Sequence, residues 1–241
     1  MQSYHQRLVA VGDIGCYSLG VGEPFHGFDT AICMGSGFSI PIGLAKALEK
    51  QGDGRKVFGI LGDSTFFHSG FNSLTDAVHA GANVCLVVLD NSITAMTGHQ
   101  QNAGTALNLM GEPVPALDIR RMVLSTGLPE ERLLEVDPID QAAMHAAIQK
   151  ALSTRETWVI LSRRPCALLK EVIKARGDLR CEIDPEACKG CRACIKVVCP
   201  ALTFDGEAKK AVISDPASCT GCGLCMQQCR FGAIRKAGGK A

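Results

Sequence analysis

The sequence predicts an α/β domain built on a mostly parallel sheet, followed by a small α+β domain organised around cysteines. Three observations lead there. Over the first 176 of 241 residues, short runs rich in Val, Ile and Leu alternate with longer amphipathic stretches. Eight of the 13 cysteines fall between Cys188 and Cys229. Composition shifts between these regions, at the charged stretch 170–180. Strands alternating with helices imply a sheet covered on both faces. The expected domains are residues 1–176 and 177–241.

Residues 7–11, 56–61, 83–89 and 158–161 read as buried strands, because they are apolar, rich in branched side chains and bounded by Gly or Asp. Residues 40–50, 70–80 and 140–152 carry helical periodicity; Ala142, Ala146, Ile148 and Leu152 share roughly one face. Residues 100–115 are rich in Gly, Asn and Pro and have no period. A long ordered loop of this kind is expected to belong to a site, the alternative being a plain surface excursion. Residues 170–180 read as a helix end or linker. Residues 201–204 and 211–213 alternate around Asp205 and Gly206, as in a hairpin. The basic, Gly-containing residues 235–241 read as a frayed, solvated terminus.

Composition narrows the function. Hydrophobic residues make up 46% and charged residues 20%, which supports a packed core and not disorder. No apolar run approaches bilayer-spanning length, and the first residues lack a secretory core. A net charge of +1 argues against nucleic acid as the main partner. An odd number of cysteines without a signal peptide does not read as a secreted disulfide framework. The expectation is a cytoplasmic chain with no membrane or nucleic-acid partner, whose thiolates bind metal.

The thiol spacing specifies which metal. Cys188, Cys191, Cys194 and Cys199 are followed by Cys219, Cys222, Cys225 and Cys229, each triplet stepping by three residues. Bacterial-ferredoxin runs have this form, and their fourth cysteine ligates the other cluster. The expected sets are therefore Cys188, Cys191, Cys194 and Cys229 for one [4Fe–4S] cluster, and Cys219, Cys222, Cys225 and Cys199 for the second. Zinc is the alternative for paired CxxC units, but each CxxCxxC triplet offers one more thiolate than the CxxC pair a shared zinc site uses, and each half adds a trailing cysteine. The first half has four residues before Cys199 where three are usual, and Arg230 stands where Pro is usual. The tail is thus ferredoxin-like, with two [4Fe–4S] clusters, and such domains carry single electrons.

Gly62, Asp63 and Ser64 follow the second predicted strand, and Asp90 and Asn91 follow the third. This resembles the thiamine-diphosphate signature of GDG and, some 25 residues later, NN. Ser64 replaces the last Gly and Asp90 the first Asn. Magnesium takes six hard oxygens in near-octahedral geometry. The resemblance gives the ligand roles to the Asp63 carboxylate, the Asn91 side chain and the Ile93 main-chain carbonyl, with Thr94 beside them and Asp90 outside the ligand set. Gly35, Ser36 and Gly37 precede a predicted helix, where N–H groups can approach a diphosphate. Ile40 breaks the dinucleotide pattern, and no Walker A sequence occurs.

Together with Asp13-Ile14-Gly15-Cys16-Tyr17, Cys33-Met34-Gly35, His68-Ser69-Gly70 and the stretch 89–100, these motifs resemble the 2-oxoacid:ferredoxin oxidoreductases. Within that family they resemble the C-terminal half of the indolepyruvate-type large subunit, over residues 7–235. The resemblance implies oxidative decarboxylation of a 2-oxoacid, aromatic by preference, to an acyl-CoA and CO2, with electrons leaving through the clusters to external ferredoxin. It implies thiamine diphosphate, Mg2+ and two [4Fe–4S] clusters as cofactors, and coenzyme A as co-substrate. The family's pyrimidine-binding domain, whose Glu activates the cofactor, is absent from these residues. Another polypeptide is expected to supply it within a hetero-oligomer, and the chain alone is expected to be inactive.

The remaining side chains divide by position. Cys16 and Cys33 follow predicted strands and are expected to line the site, against the alternative of small buried hydrophobes. The resemblance places Cys16, His68 and His99 as candidate catalytic groups, with packing as the alternative for His68. Asp13 and Gly15 are expected at the cofactor end of the first strand, helix capping being the alternative for Asp13. Cys85 reads as core, His5, His79 and His145 as ordinary helix or terminal residues, and Cys166 and Cys181 have no functional signal. Two rival readings are an electron-transfer subunit on a degenerate scaffold and a non-redox thiamine-diphosphate decarboxylase or carboligase.

Overall fold

The computed structural model describes residues 7–237. The chain divides into two compact units, Met1–Cys166 and Ala167–Ala241. The division falls ahead of helix α6 (Lys170–Arg176), whereas the composition shift places it behind that segment.

The first unit is a five-stranded parallel sheet of β1 (Leu8–Val11), β2 (Lys56–Gly62), β3 (Val84–Asp90), β4 (Leu133–Val136) and β5 (Trp158–Arg163), in the order β1-β2-β3-β5-β4. Four strands stand where the apolar runs predict them. The fifth, β4, is a short edge strand with a half-exposed pattern, so it lacks the continuous apolar run of its buried neighbours. Around the sheet lie α1 (Ser36–Lys50), α2 (Asp63–Thr65), α3 (Phe71–His79), α4 (Ile119–Ser125) and α5 (Gln141–Leu152). Helix α1 begins four residues ahead of the stretch with helical periodicity and accommodates Pro41 inside it. Helix α4 was not legible. Its start is fixed by Asp118, whose side chain accepts the N–H of Arg121.

Successive strand residues serve opposite faces. Val57, Leu86 and Val159 join Phe38, Leu74 and Val123 of α1, α3 and α4, while Phe58, Cys85 and Ile160 join Ala147 and Ala151 of α5. Cys85 is thus core, as its position predicts. One crossing has no side chain in it. A Cβ on Gly59 of β2 would lie 2.1 Å from the Gly37 carbonyl oxygen, and one on Gly37 would lie 2.3 Å from that of Ile60. This backbone contact draws the N-terminus of α1 down to the carboxyl end of the sheet.

In the second unit, β6 (Cys181–Ile183) pairs antiparallel with β9 (Ile234–Lys236), and β7 (Leu202–Asp205) with β8 (Lys210–Ile213); α7 spans Leu224–Gln228. The hairpin stands where the sequence predicts it. The frayed terminus needs correcting, because Arg235 and Lys236 pair with Glu182 and Cys181 in a ladder. Residues 238–241 and His5 lie outside the described residues. The buried cluster consists of Cys181, Cys188, Cys194, Cys219 and Cys225 with small and aliphatic neighbours, among them Ala201, Leu202 and Ile234.

Candidate cofactor site and thiol sets

In a parallel sheet the carboxyl ends of the strands all point one way, and ligands bind beyond them. There the first unit has a cavity of about 240 Å³. Gly15 and Cys16 reach it from the segment after β1, Gly62, Asp63 and Ser64 from the β2–α2 junction, and Asn91, Ile93 and Thr94 from the turn after β3. Ile14, Met34 and Met96 add apolar wall.

Asp63 is buried, and its carboxylate accepts the Ser64 N–H at 2.7 Å. Burial pushes the Asp63 carboxyl up to about 6; the Ser64 N–H opposes that and the nearby Asp90 charge adds to it. Asn102, on the long loop, turns its amide toward Asp63 without completing a hydrogen bond, so its Nδ2 is buried and unpaired. A buried carboxylate beside a second acidic group favours a cation. The Asn91 side-chain oxygen accepts the Ile93 N–H at 3.2 Å, which tightens the turn. The chain beyond β5 clasps this turn: Arg164 N–H donates to Asp90 O and Cys166 N–H to Asn91 O, both at 2.9 Å. Arg163 Nε donates to the Asp90 carboxylate at 2.8 Å. Carboxylate, amide oxygen and main-chain carbonyl form a hard-oxygen set that fits magnesium and, through it, a diphosphate.

The N-terminus of α1 differs from expectation. The fully buried Asp13 carboxylate accepts the N–H groups of Ile14 at 2.7 Å and Gly37 at 2.8 Å. Ser36 N–H donates to Cys33 O, and Ser36 Oγ both donates to Cys33 O and accepts Cys33 N–H. The donors that the sequence assigns to a phosphate at Ser36 and Gly37 are therefore committed within the protein. Asp13, Cys33, Gly35, Ser36 and Gly37 do not line the cavity. Tyr17, not singled out as a site residue from sequence, does line it. Its hydroxyl accepts the Gly62 N–H at 3.0 Å and donates to Ile14 O at 3.3 Å. Burial, then the Asp13 charge, pushes this phenol well above its ordinary range.

Of the three expected catalytic side chains, only Cys16 lines the cavity. His68 is exposed on the π-helical turn Phe66–Gly70, where Phe66 takes the buried side. His99, in left-handed backbone at φ 62°, places Nε2 3.8 Å from Cys166 Sγ and stands outside the lining.

In the second unit, Cys188, Cys191, Cys194 and Cys229 line one cavity. Cys225 lies among Cys181, Cys222 and Cys199, and Cys219 Sγ accepts the Cys181 N–H at 3.3 Å. Left-handed backbone at Gly190, Arg192, Gly221 and Gly223 wraps the chain around these thiols. Burial pushes the Cys225 thiol up to about 12. Among the described residues no group of three or more His, Cys, Asp or Glu side chains is placed to hold a single metal ion. The fit to an iron–sulfur cluster rests on the four thiols that line one cavity.

Comparison with known proteins matches this architecture. The family model described as thiamine pyrophosphate enzyme, C-terminal TPP binding domain, matches residues 13–161, and that described as 4Fe-4S dicluster domain matches residues 180–230. Indolepyruvate oxidoreductase subunit IorA of Pyrococcus horikoshii is 39% identical over 248 residues, covering 95% of this chain and 37% of that one. The subunit of the same name from Archaeoglobus fulgidus is 38% identical over 227 residues, covering 93% and 35%. The chain thus spans little more than a third of the length of these relatives. A 2-oxoglutarate:ferredoxin oxidoreductase from Magnetococcus marinus, solved with 2-oxoglutarate, coenzyme A and succinyl-CoA bound, shares the fold. It gives a TM-score of 0.57 at 14% identity, over 71% of this chain and 60% of that one. Among the described residues no helix is long and apolar enough to cross a membrane. The chain belongs to the thiamine pyrophosphate enzymes: it carries their C-terminal TPP binding domain followed by a 4Fe-4S dicluster domain, the pair over which it aligns with the indolepyruvate oxidoreductase subunits.

Proposed function

We propose that the chain is the cofactor-binding and electron-accepting part of a 2-oxoacid:ferredoxin oxidoreductase of the indolepyruvate type, forming an acyl-CoA and CO2 and reducing external ferredoxin. The observation that supports this is Asp63 and Asn91 lining one cavity at adjacent strand ends, in one chain with Cys188, Cys191, Cys194 and Cys229 lining another and Cys225 lying near Cys199 and Cys222. Bound there, thiamine diphosphate supplies the electron sink for decarboxylation, and two [4Fe–4S] clusters supply one-electron acceptors.

The protein's own groups do the positioning. Asp63, Asn91 and the Ile93 carbonyl hold Mg2+ and thereby the diphosphate. Tyr17 holds Gly62 at the turn that presents Asp63. Ile14, Met34 and Met96 favour an apolar, aromatic 2-oxoacid side chain. Activation of the cofactor needs a pyrimidine-binding domain from a further segment or subunit. Exposed Leu19, Ile32, Leu109 and Met110, on the loops after β1 and β3, supply apolar surface for it at the same end of the sheet.

The test is anoxic reconstitution with thiamine diphosphate, Mg2+ and iron, with and without the partner. The chain alone should bind cofactor without turnover. With partner, coenzyme A-dependent viologen reduction by indolepyruvate should appear, and Asp63→Ala should abolish both thiamine-diphosphate binding and turnover. Full activity in Asp63→Ala would overturn the proposal in favour of an electron-transfer scaffold.

A further inference from the structure

The amino ends of the strands, opposite the cofactor end, carry a second cavity, of about 530 Å³. The segments that enter four neighbouring strands line it: Arg7 ahead of β1, residues 53–56 at the start of β2, Asn83 ahead of β3 and residues 152–155 ahead of β5. Its charge is one-sided. Among the described residues Asp53 is the one carboxylate in the lining, and Arg55 takes it with Nε at 2.9 Å and Nη2 at 2.7 Å. Arg7, Lys56 and Arg155 are left. Arg7 Nη1 donates to the neutral Gln149 side chain at 3.2 Å. Lys56 is 3% exposed, and its ammonium donates to Asn83 Oδ1 at 3.1 Å, Thr154 O at 3.0 Å and Glu156 O at 2.6 Å. All three acceptors are neutral, and the Glu156 carboxylate is taken by Arg132. Among the described residues Arg155 has no hydrogen-bond or ion-pair partner; its Nη2 packs over Gly54, 2.9 Å from where a Cβ would stand.

We propose that this cavity binds an oligophosphate, free or as the phosphate chain of a nucleotide, held by the Arg7 and Arg155 guanidinium groups over the buried Lys56 charge. Three cations around one cavity without a carboxylate to offset them make a field that an anion relieves. Guanidinium groups match phosphate oxygens two at a time. Lys56 spends its three donors within the protein, so it supplies charge and no contact. The volume lies within the roughly 300–1,000 Å³ of small-molecule sites and exceeds what one phosphate fills. No aromatic side chain lines the cavity and Leu152 is its one large apolar group, so the phosphates are what it reads. Strand β2 runs its whole length, about 20 Å, between Lys56 here and Gly62 at the cofactor end. Binding here needs neither magnesium nor a cluster.

The experiment is calorimetric titration of the full chain, reconstituted anoxically with iron and without added divalent metal, as wild type, Arg155→Gln, Arg155→Lys and the double variant Arg7→Gln/Arg155→Gln. The probes are tripolyphosphate, ATP, orthophosphate and poly-glutamate. Tripolyphosphate should fill one site at least about tenfold more tightly than orthophosphate, and the double variant should lose at least about tenfold of that affinity. Iron content and thermal midpoint should not change, because both arginines are exposed. Arg155→Lys, which keeps the charge without the fork, should fall between wild type and Arg155→Gln. Hydrogen exchange should show protection gained at residues 53–56 and 152–156 and none at 62–64. ATP binding tighter than tripolyphosphate supports the proposal with a nucleotide as the source; weaker binding supports it with the inorganic chain. Absence of saturable binding, equal affinity in wild type and double variant, or protection confined to the cofactor end or the second unit would overturn it. So would poly-glutamate binding as tightly as tripolyphosphate, which would make the cavity a seat for an acidic protein segment.

Discussion

Around the sheet of the first unit the buried residues are mostly Val, Leu, Ile, Phe and Ala from strands and helices, and the cavity-lining Asp63 and Asn91 stand at strand ends beyond them. In the second unit half of the ten buried cluster residues are cysteines, four of them assigned as iron ligands. The first core packs without any of the proposed cofactor ligands, whereas four of the ten residues of the second are the thiols proposed to hold iron. If those thiols bind clusters, the stability of the second unit is coupled to its iron content.

Removing iron from the full chain with a chelator under reducing conditions should therefore separate the two units. Hydrogen exchange should show residues 180–230 losing protection while β2, β3 and β5 keep theirs. Retained protection in both units would erase the distinction. The converse lesion is Gly59→Ala. Its new Cβ would meet the Gly37 carbonyl at 2.1 Å, and neither backbone can yield. The expected cost is about 3 kcal/mol of stability in the first unit. Thermal unfolding should record the loss with iron content unchanged; an unaltered midpoint would mean that α1 is free to shift on the sheet.

A smaller effect comes from Asp63. Its carboxyl is raised to about 6 from an ordinary value of 3.8. Between those values the folded, metal-free chain holds a proton that the unfolded chain has lost, so its stability falls as pH rises through that window. Metal binding needs the ionised form, so Mn2+ or Mg2+ affinity should drop about tenfold from pH 7 to pH 5, with one proton released on binding. Calorimetry in buffers of different ionisation enthalpy measures both, and a pH-independent affinity would remove Asp63 from the ligand set.

The same contrast explains what was legible. Strands β2, β3 and β5 announce themselves because both their faces are buried, and the thiol sets because a wrapped loop requires fixed spacing. Strand β4 and helix α4 have no such continuous signal; one is an edge and the other is two turns started by Asp118. The chemistry of the first site was half legible. Asp63 and Asn91 follow their strands directly; Tyr17 stands in a motif and Asn102 in a loop that the sequence points to, but no local pattern singles out either side chain, nor Arg163 at the end of β5. His68 does not line the cavity because a π-helical turn presents Phe66, not the histidine, to the interior. The N–H groups of Ser36 and Gly37 do not face the cavity because a buried carboxylate from the segment after β1, Asp13, takes the Gly37 donor and the Cys33 carbonyl takes the Ser36 donor.

Arg163 gives the finest test of the comparison. It reaches the site only through Asp90, whose side chain is 12% exposed while its own is 41% exposed. The same guanidinium also contacts Glu135 of β4 at 3.4 Å, so part of its charge is spent at the sheet edge. Arg163→Gln keeps a donor but removes the charge, leaving Asp90 as an unneutralised neighbour of Asp63. Because the pair is partly solvated, the stability cost should be about 1 kcal/mol or less. The extra negative charge should tighten metal binding slightly while loosening the turn that carries Asn91. The expected outcome is a small fall in thermal midpoint with Mn2+ affinity altered by less than about tenfold, the two clusters being unaffected. Complete loss of metal binding in Arg163→Gln would mean that the ligand turn, like the thiol unit, has no stability apart from its charges.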